Sequence, residues 1–259
     1  MQNVQAVAAG DEAFRRFFAS RVEPIPGWLN IEAAALTARL AASQHAAGLS
    51  GPTLEIGVFK GKYLSVLYQF SRPDEMVVGV DLFVGAGDLR EVVEGVRANI
   101  AAACGDNRRL RIVVEDSMKL AAPRVRKEAG ADAFRFISID GGHTREIVYR
   151  DLSLAAEVLQ RGGIIALDDA FNHTTPGVIE GITEYFFRHK PALAPFAHCY
   201  NKLFVTTPEH HQRYLADTWR FVEEATWLPT HERTISARDA NKAVGYAPEM
   251  FGYEIVAFL

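Results

Sequence analysis

Asp140 and the consecutive pair Asp168–Asp169 are the residues best placed to do chemistry. Each ends an apolar, strand-like run, "FRFISID" and "GIIALDD". Carboxylates gathered at neighbouring strand tips repel one another, which raises their pKa values unless a cation neutralises them. An oxygen-only set made of Asp140, Asp168 and Asp169 suits a hard divalent ion, with Mg2+ preferred to Zn2+. Such an ion would bind an acceptor hydroxyl and lower its pKa. The plainer alternative is that Asp140 caps a turn while Asp168 or Asp169 binds water in a loop. The two members of a consecutive pair also point in different directions, so both need not be ligands.

His143, three residues past Asp140, and His173, in "DDAFNHTTPG", flank the same acids. Imidazole titrates near neutrality, so either is a candidate general base. His143 has the equal alternative of a turn residue bonded to backbone. His210 and His211 open a surface helix and are assigned no chemistry. No G-x-S-x-G elbow accompanies Ser117 or Ser138, so a serine nucleophile is not expected.

These acids need strands to carry them. Residues 11–49 read as helices, and from Thr53 short apolar runs alternate with amphipathic stretches: "TLEIGV", "EMVVGVDLF", "RLRIVVED", "FRFISID" and "GIIALDD" are strands with helices between them. The helix "TREIVYRDLSLAAEVLQ" is expected to stop at Gly162–Gly163. Apolar strands in strict β-α alternation imply a parallel sheet covered on both faces. "PFAHCY" and "KLFVTT" are too close for a crossover and should pair as an antiparallel hairpin. The tail opens with an amphipathic helix ("PEHHQRYLADTWRFVEEATW"), becomes irregular over "WLPTHERTISARDANKAVGYAPEMFG", and ends in strand-like "YEIVAFL". The expected partition is an N-terminal helical cap (1–50), an α/β core (51–207), and a C-terminal helix with an irregular lid or oligomer segment (208–259).

Ligands of open α/β sheets bind beyond the carboxyl ends of the strands. Gly57 and Gly61 flank the first such turn, in "LEIGVFKGKYLS", with Phe59 near the place of the middle glycine of G-x-G-x-x-G; as a dinucleotide fingerprint this is poor. Asp81 is placed to accept from both ribose hydroxyls of an adenosine, and Asp116 with Ser117, in "VVEDS", suits the adenine edge. Singly each is an ordinary helix-capping residue. In order, after Glu55 inside the first strand, they point to a bound adenosine.

The segments "LEIGVFKGKYLS", "VVGVDLF", "VVEDS" and "FISIDGGHTREIVYRDL", followed by "GGIIALDDAF", resemble class I S-adenosylmethionine-dependent methyltransferases. The nearest branch is the one that includes the macrocin and related antibiotic-sugar O-methyltransferases, and the likeness spans about residues 50–207. The resemblance implies a doubly wound, Rossmann-like seven-stranded sheet, mostly parallel, with an antiparallel terminal hairpin. It implies S-adenosylmethionine as methyl donor, with Glu55 and Gly57 near the methionine moiety, Asp81 on the ribose and Asp116 with Ser117 at adenine. It also implies a divalent metal held by the strand-tip acids, Asp140 lying beside the donor. The sequence departs from the common pattern in "DGGH", where a second acid often replaces the second glycine, and that puts weight on His143 or on a metal-activated hydroxide.

The expected activity is metal-assisted O-methylation of a small polar acceptor such as a sugar or glycosylated metabolite. Rivals are N-methylation of an amino sugar, an NAD(P)-dependent oxidoreductase (disfavoured by the missing glycine and the end hairpin), and a non-catalytic adenosyl-ligand binder. Acceptor specificity is expected from residues 1–50, 170–177 and 225–252, where Trp227, Tyr246 and Phe251 could stack on a sugar or pack under the loop. With a net charge of −4 and a pI near 6.1, the chain offers no global attraction for nucleic acid or an anionic membrane. No stretch is long enough to span a bilayer. Two cysteines without CxxC spacing and an N-terminus unlike a signal peptide fit a cytoplasmic protein, and the apolar N-terminal helices leave a face for a homo-oligomer.

Overall fold

The computed structural model describes residues 11–85, 87–189 and 192–259. The first ten residues, part of the N-terminal stretch judged above, lie outside them. A first helix, α1 (Asp11–Phe17), continues as a π-helical turn over Phe18–Val22 and leads to α2 (Ile31–Ala46). Asn30 starts α2 by accepting from the amides of Glu32 (2.7 Å) and Ala33 (3.3 Å), satisfying two of the donors a helix N-terminus leaves open. The alternating core follows: β1 (Thr53–Ile56), α3 (Lys62–Gln69), β2 (Val77–Asp81), α4 (Leu89–Cys104), β3 (Leu110–Val114), α5 (Ala122–Ala129), β4 (Phe134–Ile139), α6 (Arg145–Val158), β5 (Leu159–Leu167), α7 (Pro176–Arg188), β6 (Ala194–Cys199) and β7 (Lys202–Thr206).

With a last strand β10 (Val256–Ala257), the sheet order is β10-β6-β7-β5-β4-β1-β2-β3, in which β7 alone runs antiparallel to its neighbours β5 and β6. The seven expected strands are therefore present, with the expected hairpin. An eighth, β10 (Val256–Ala257), adds two residues parallel to β6, so the C-terminus is woven into the sheet edge. Every residue of β1 and β4 is buried, as strands covered on both faces require. One apolar core lies between the sheet and α2, α3, α4 and α8 (His211–Glu224), and the second between the sheet and α5, α6 and α7.

Two sequence expectations are corrected. The helix after β4 ends at Val158 rather than at the glycine pair, and Leu159–Gln160 already belong to β5, where Leu159 pairs with Phe134 across a register shift. The segment expected to be irregular contains α9 (His231–Ala243), which follows α8 (His211–Glu224). Only Thr234 of α9 is buried, so no apolar stripe announced it. It is anchored by tertiary contacts instead: the Thr230 amide (2.9 Å) and hydroxyl (2.7 Å) donate to buried Glu32, and Arg238 pairs with Glu223. Short strands β8 (Glu249–Met250) and β9 (Tyr253–Glu254) then form a separate two-stranded ladder.

Strand order reverses between β1 and β4, and the connections leaving them diverge to opposite sides, which opens a crevice. Ile56 is in register with Ile139, so Gly57 meets the backbone after β4. A Cβ on Gly57 would lie 1.8 Å from the Asp140 carbonyl oxygen, and its φ is +88°. Glycine is required there by the closeness of two chains as much as by any ligand.

Candidate active site

The crevice is a cavity of about 490 Å³ whose wall includes Gly57, Phe59, Asp81, Asp116, Ser117 and Asp140. These come from the tips of β1, β2, β3 and β4, the positions anticipated for an adenosyl ligand. Phe59 and Phe83 both line it with positive φ (+49° and +51°). Asp81 explains that backbone: its Oδ2 accepts from the amides of Val58 and Phe59, each at 2.7 Å, and its Oδ1 from Phe83 at 2.6 Å. A carboxylate has about four lone-pair sites, so Asp81 as it stands keeps room for one ribose hydroxyl, not the two expected. Asp116 accepts from the Met118 amide at 3.0 Å, capping a 3-10 turn, and leaves Ser117 on the cavity wall.

Two residues expected at the ligand are elsewhere. Glu55 is only 2% exposed inside β1 and does not reach the cavity wall. Burial, then the nearby Asp140, pushes its pKa well up, and its Oε2 has no partner among the described residues. Gly61 begins α3 with φ +84°, and a Cβ on it would meet Val96 (3.2 Å) and Ile100 (3.4 Å), so it serves the α3–α4 contact. Asp151, fully buried on α6 behind Gly141, was not anticipated; neither of its oxygens is hydrogen-bonded among the described residues, and burial lifts its pKa to about 7.

The acid tips converge through register. Ile139 pairs with Leu167 and Leu167 with Leu203, so Asp140, Asp168 and Lys202 follow side by side on β4, β5 and β7. Lys202 is 3% exposed, and its Nζ lies 2.6 Å from Asp168 Oδ2 and 4.2 Å from the centre of the Tyr63 ring. Burial would raise the Asp168 pKa, but this ammonium holds it below the usual carboxylate range. Burial likewise favours neutral lysine, yet Asp168 and Asp140 keep Lys202 charged, its pKa shifted upward. Asp168 is thus taken up by a protein cation. Lys202→Met is expected to destabilise the fold by about 3–5 kcal/mol in urea melts at pH 8, because a buried carboxylate loses its partner. The penalty should shrink towards pH 3, since stability from a depressed carboxylate pKa is present above its unfolded value and lost as pH falls.

Asp169 turns the other way, at φ +54°. Its Oδ1 accepts from Asn172 Nδ2 (3.0 Å) and Asn201 Nδ2 (3.3 Å), which leaves Oδ2 facing His143 Nε2 at 3.4 Å. His143 Nε2 is also 3.9 Å from Asp140 Oδ1. Asp140, His143 and Asp169 each present one ligand atom, all within 4.8 Å of one another. Burial, offset in part by His143, raises Asp140 to about 6; the neighbouring carboxylate of Asp140, with that of Asp169, raises His143. The group that converges is therefore Asp140–His143–Asp169 rather than the three aspartates, which puts a nitrogen among the donors. His173 is exposed on the loop and stands apart from this group.

Nothing in the sequence reading singled out Lys202. Hairpin geometry held the clue: a lysine opening β7 must sit opposite the residue that follows β5. Of the aromatic residues that could stack on a ligand or pack under the loop, two pack. Trp227 packs near Phe14 (6.4 Å) and Phe251 stacks on Phe186 (4.2 Å), whereas Trp28 and Tyr200, 90% and 61% exposed, stand beside Asp168 and Asp169.

A family model for a methyltransferase domain matches residues 54–170, from β1 through both acid tips. Over residues 54–170, somewhat less than half of its length, the chain is similar to that methyltransferase domain. Solved structures similar to it include a TDP-rhamnose 3'-O-methyltransferase, an enzyme in calicheamicin biosynthesis, at 19% identity and TM-score 0.51, covering 79% of this chain and 91% of that one. The O-methyltransferase NovP is similar at 15% identity and TM-score 0.54, over 79% of this chain and 96% of its own. An O-methyltransferase from Bacillus cereus in complex with SAH is similar at 16% identity and TM-score 0.51, over 78% and 94%. At such identities the likeness is one of fold. No curated protein matches in sequence. Among the described residues, no helix is long and apolar enough to cross a membrane.

Proposed function

We propose that the domain transfers a methyl group from S-adenosylmethionine to a hydroxyl of a small polar acceptor such as a sugar or glycosylated metabolite, assisted by a divalent cation at Asp140, His143 and Asp169. The observation that carries the reading is that Asp140 belongs both to the wall of the strand-tip cavity and to the converging acid–imidazole group, so donor and acceptor chemistry meet at one residue. O-methyltransferases among the similar structures, one a TDP-rhamnose 3'-O-methyltransferase and one in complex with SAH, support the same direction. The acidic balance of the chain gives no reason to expect nucleic acid or membrane as partner.

Asp81, Asp116 and Ser117 would hold the adenosine end of the donor, leaving its sulfonium end towards Asp140. Transfer moves an oxygen lone pair into the new C–O bond while the C–S pair returns to sulfur, and the hydroxyl proton must leave. A cation bound here would hold the acceptor oxygen and lower its pKa. Two carboxylate oxygens and an imidazole nitrogen suit Mn2+ or another borderline ion better than the Mg2+ expected from oxygen ligands alone. Asn172 and Asn201 fix Asp169 so that its free oxygen faces the site, and Asp140 is held by its amide to Ile56 O at 2.7 Å.

A second reading is favoured by Lys202. Because that ammonium already neutralises Asp168, the remaining carboxylates can serve an unmetallated His143 as the base that takes the proton. Electron paramagnetic titration of EDTA-treated protein with Mn2+ separates the two. One Mn2+ per chain is expected, weakened at least about tenfold by Asp169→Asn and by His143→Ala, with Mg2+ the weaker competitor. Undiminished methyl transfer beside no bound ion would establish the imidazole reading instead.

A further inference from the structure

We infer that Asp151 is a positioning residue for the methyl donor. From behind the cavity wall it accepts a hydrogen bond from the Ser117 hydroxyl once the donor is bound, turns that oxygen's lone pairs towards the ligand, and so selects a 6-amino over a 6-oxo purine. The inference rests on the adenosyl-donor part of the reading above.

Asp151 stands where an apolar residue belongs. Helix α6 buries Val148, Leu152, Ala155 and Val158, and Asp151 falls among them at helical spacing, 0% exposed. A buried carboxyl without hydrogen bonds works against the fold, yet neither of its oxygens has a partner among the described residues. The neighbouring backbone leaves it room: a Cβ on Gly141 would lie 2.9 Å from Asp151 Oδ2, so any side chain there would push the carboxyl away.

On the other side of that wall is the donor cavity, which Ser117, Gly141 and Ile147 line and Asp151 does not. Helix α6 packs against the 3-10 turn Ser117–Lys119, and Arg150 secures the contact by donating from Nη2 to Leu120 O at 2.9 Å. The residue next to Asp151 thus ties α6 to the turn that presents Ser117. Burial raises the Asp151 pKa, while the Ser117 hydroxyl and then Arg150 draw it back, the direction expected of groups that favour the ionised form.

The selectivity follows from counting protons. An ionised carboxylate can only accept, and a hydroxyl has one proton to give. Ser117 donating backwards to Asp151 therefore meets the ligand as an acceptor. Asp116 beside it is a second acceptor, one of whose oxygens already holds the Met118 amide at 3.0 Å. Two acceptors suit the N–H bonds of an exocyclic amino group and repel a carbonyl oxygen in the same place. Without Asp151 the Ser117 hydroxyl is free to donate, and the discrimination goes.

The test is calorimetry on the full chain at pH 8. SAH and its 6-oxo counterpart, S-inosylhomocysteine, are titrated into wild type, Ser117→Ala, Asp151→Ala and the double variant. Wild type is expected to prefer SAH by at least roughly tenfold, the worth of about one hydrogen bond, and each single variant to erase that factor. The double variant should lose no more than either single one, because the two residues act as a unit. A merely structural acid would move the melting temperature and leave the preference alone. Preference kept in full by Asp151→Ala, losses that multiply in the double variant, or equal binding of the two purines by wild type would overturn the assignment. Ser117→Ala, changed at the cavity wall, decides the matter if Asp151→Ala fails to fold, since a preference that survives it removes the relay. SAH binding with unchanged preference leaves the methyl-transfer reading standing, whereas no SAH binding to wild type refutes both.

Discussion

Asp140→Asn is expected to lower methyl transfer at least about 100-fold while the protein melts no lower than the wild type. The activity arm follows from position: Asp140 borders the donor cavity and offers an oxygen to the group shared with His143 and Asp169. Loss of a positioned acid–base or metal-holding group costs about two orders of magnitude or more. The stability arm follows from charge. Burial and the neighbouring Asp168 raise the Asp140 pKa to about 6, so its ionised form works against the fold. An acid raised in the folded state makes stability fall as pH climbs from its unfolded value, near 4, to its folded one. The asparagine has the same shape without that charge, and the melting temperature at pH 8 should hold or rise. A variant that lost activity because it unfolded would contradict this account.

Glu75→Ala should destabilise the fold as much as Lys202→Met, by about 3–5 kcal/mol, or on the order of 10 °C in melting temperature for a chain of this size. Arg135 is the reason. It is the second residue of β4, at 1% exposure, and donates to Glu75 Oε2 through Nε (3.0 Å) and Nη2 (2.9 Å), to Gln44 Oε1 (2.9 Å) and to Phe70 O (3.2 Å). Removing Glu75 leaves a guanidinium in the core with no counter-charge. Burial alone would raise Glu75, but His45 and Arg135 outweigh it and bring the pKa down to about 2. A depressed carboxylate contributes stability above its unfolded pKa, near 4.3, and loses it as pH falls through the folded one. Denaturant melts should therefore show the gap between wild type and variant at full size above pH 5 and closing towards pH 2.

The sheet was legible because its strands are nearly pure apolar runs, such as "FISI" and "IIAL", and because "PFAHCY" and "KLFVTT" lie too close for anything but a hairpin. The acid tips of β4 and β5 could be placed together on the same grounds. What could not be read was partnership across the sheet. Lys202 looks like one more surface lysine until β7 is set beside β5, where it removes Asp168 from the converging group and admits His143. Gly57 and Gly61 stood in a ligand-binding spacing, yet their nearest neighbours are Asp140 backbone and the α4 side chains. Helix α9 escaped because Ile235 is the one large apolar residue it sets against the core, and polar contacts to Glu32 and Glu223 help to hold it. Trp28 opened the run read as a helix, "WLNIEAAALTARLAASQHAA", but α2 starts only at Ile31 and leaves it outside.

The most direct measurement is a calorimetric titration of SAH into EDTA-treated protein, repeated with NADH. One site per chain for SAH, weakened by Asp81→Ala and accompanied by no NADH isotherm, is the predicted result. A clear NADH isotherm with no heat from SAH would contradict the account at its centre.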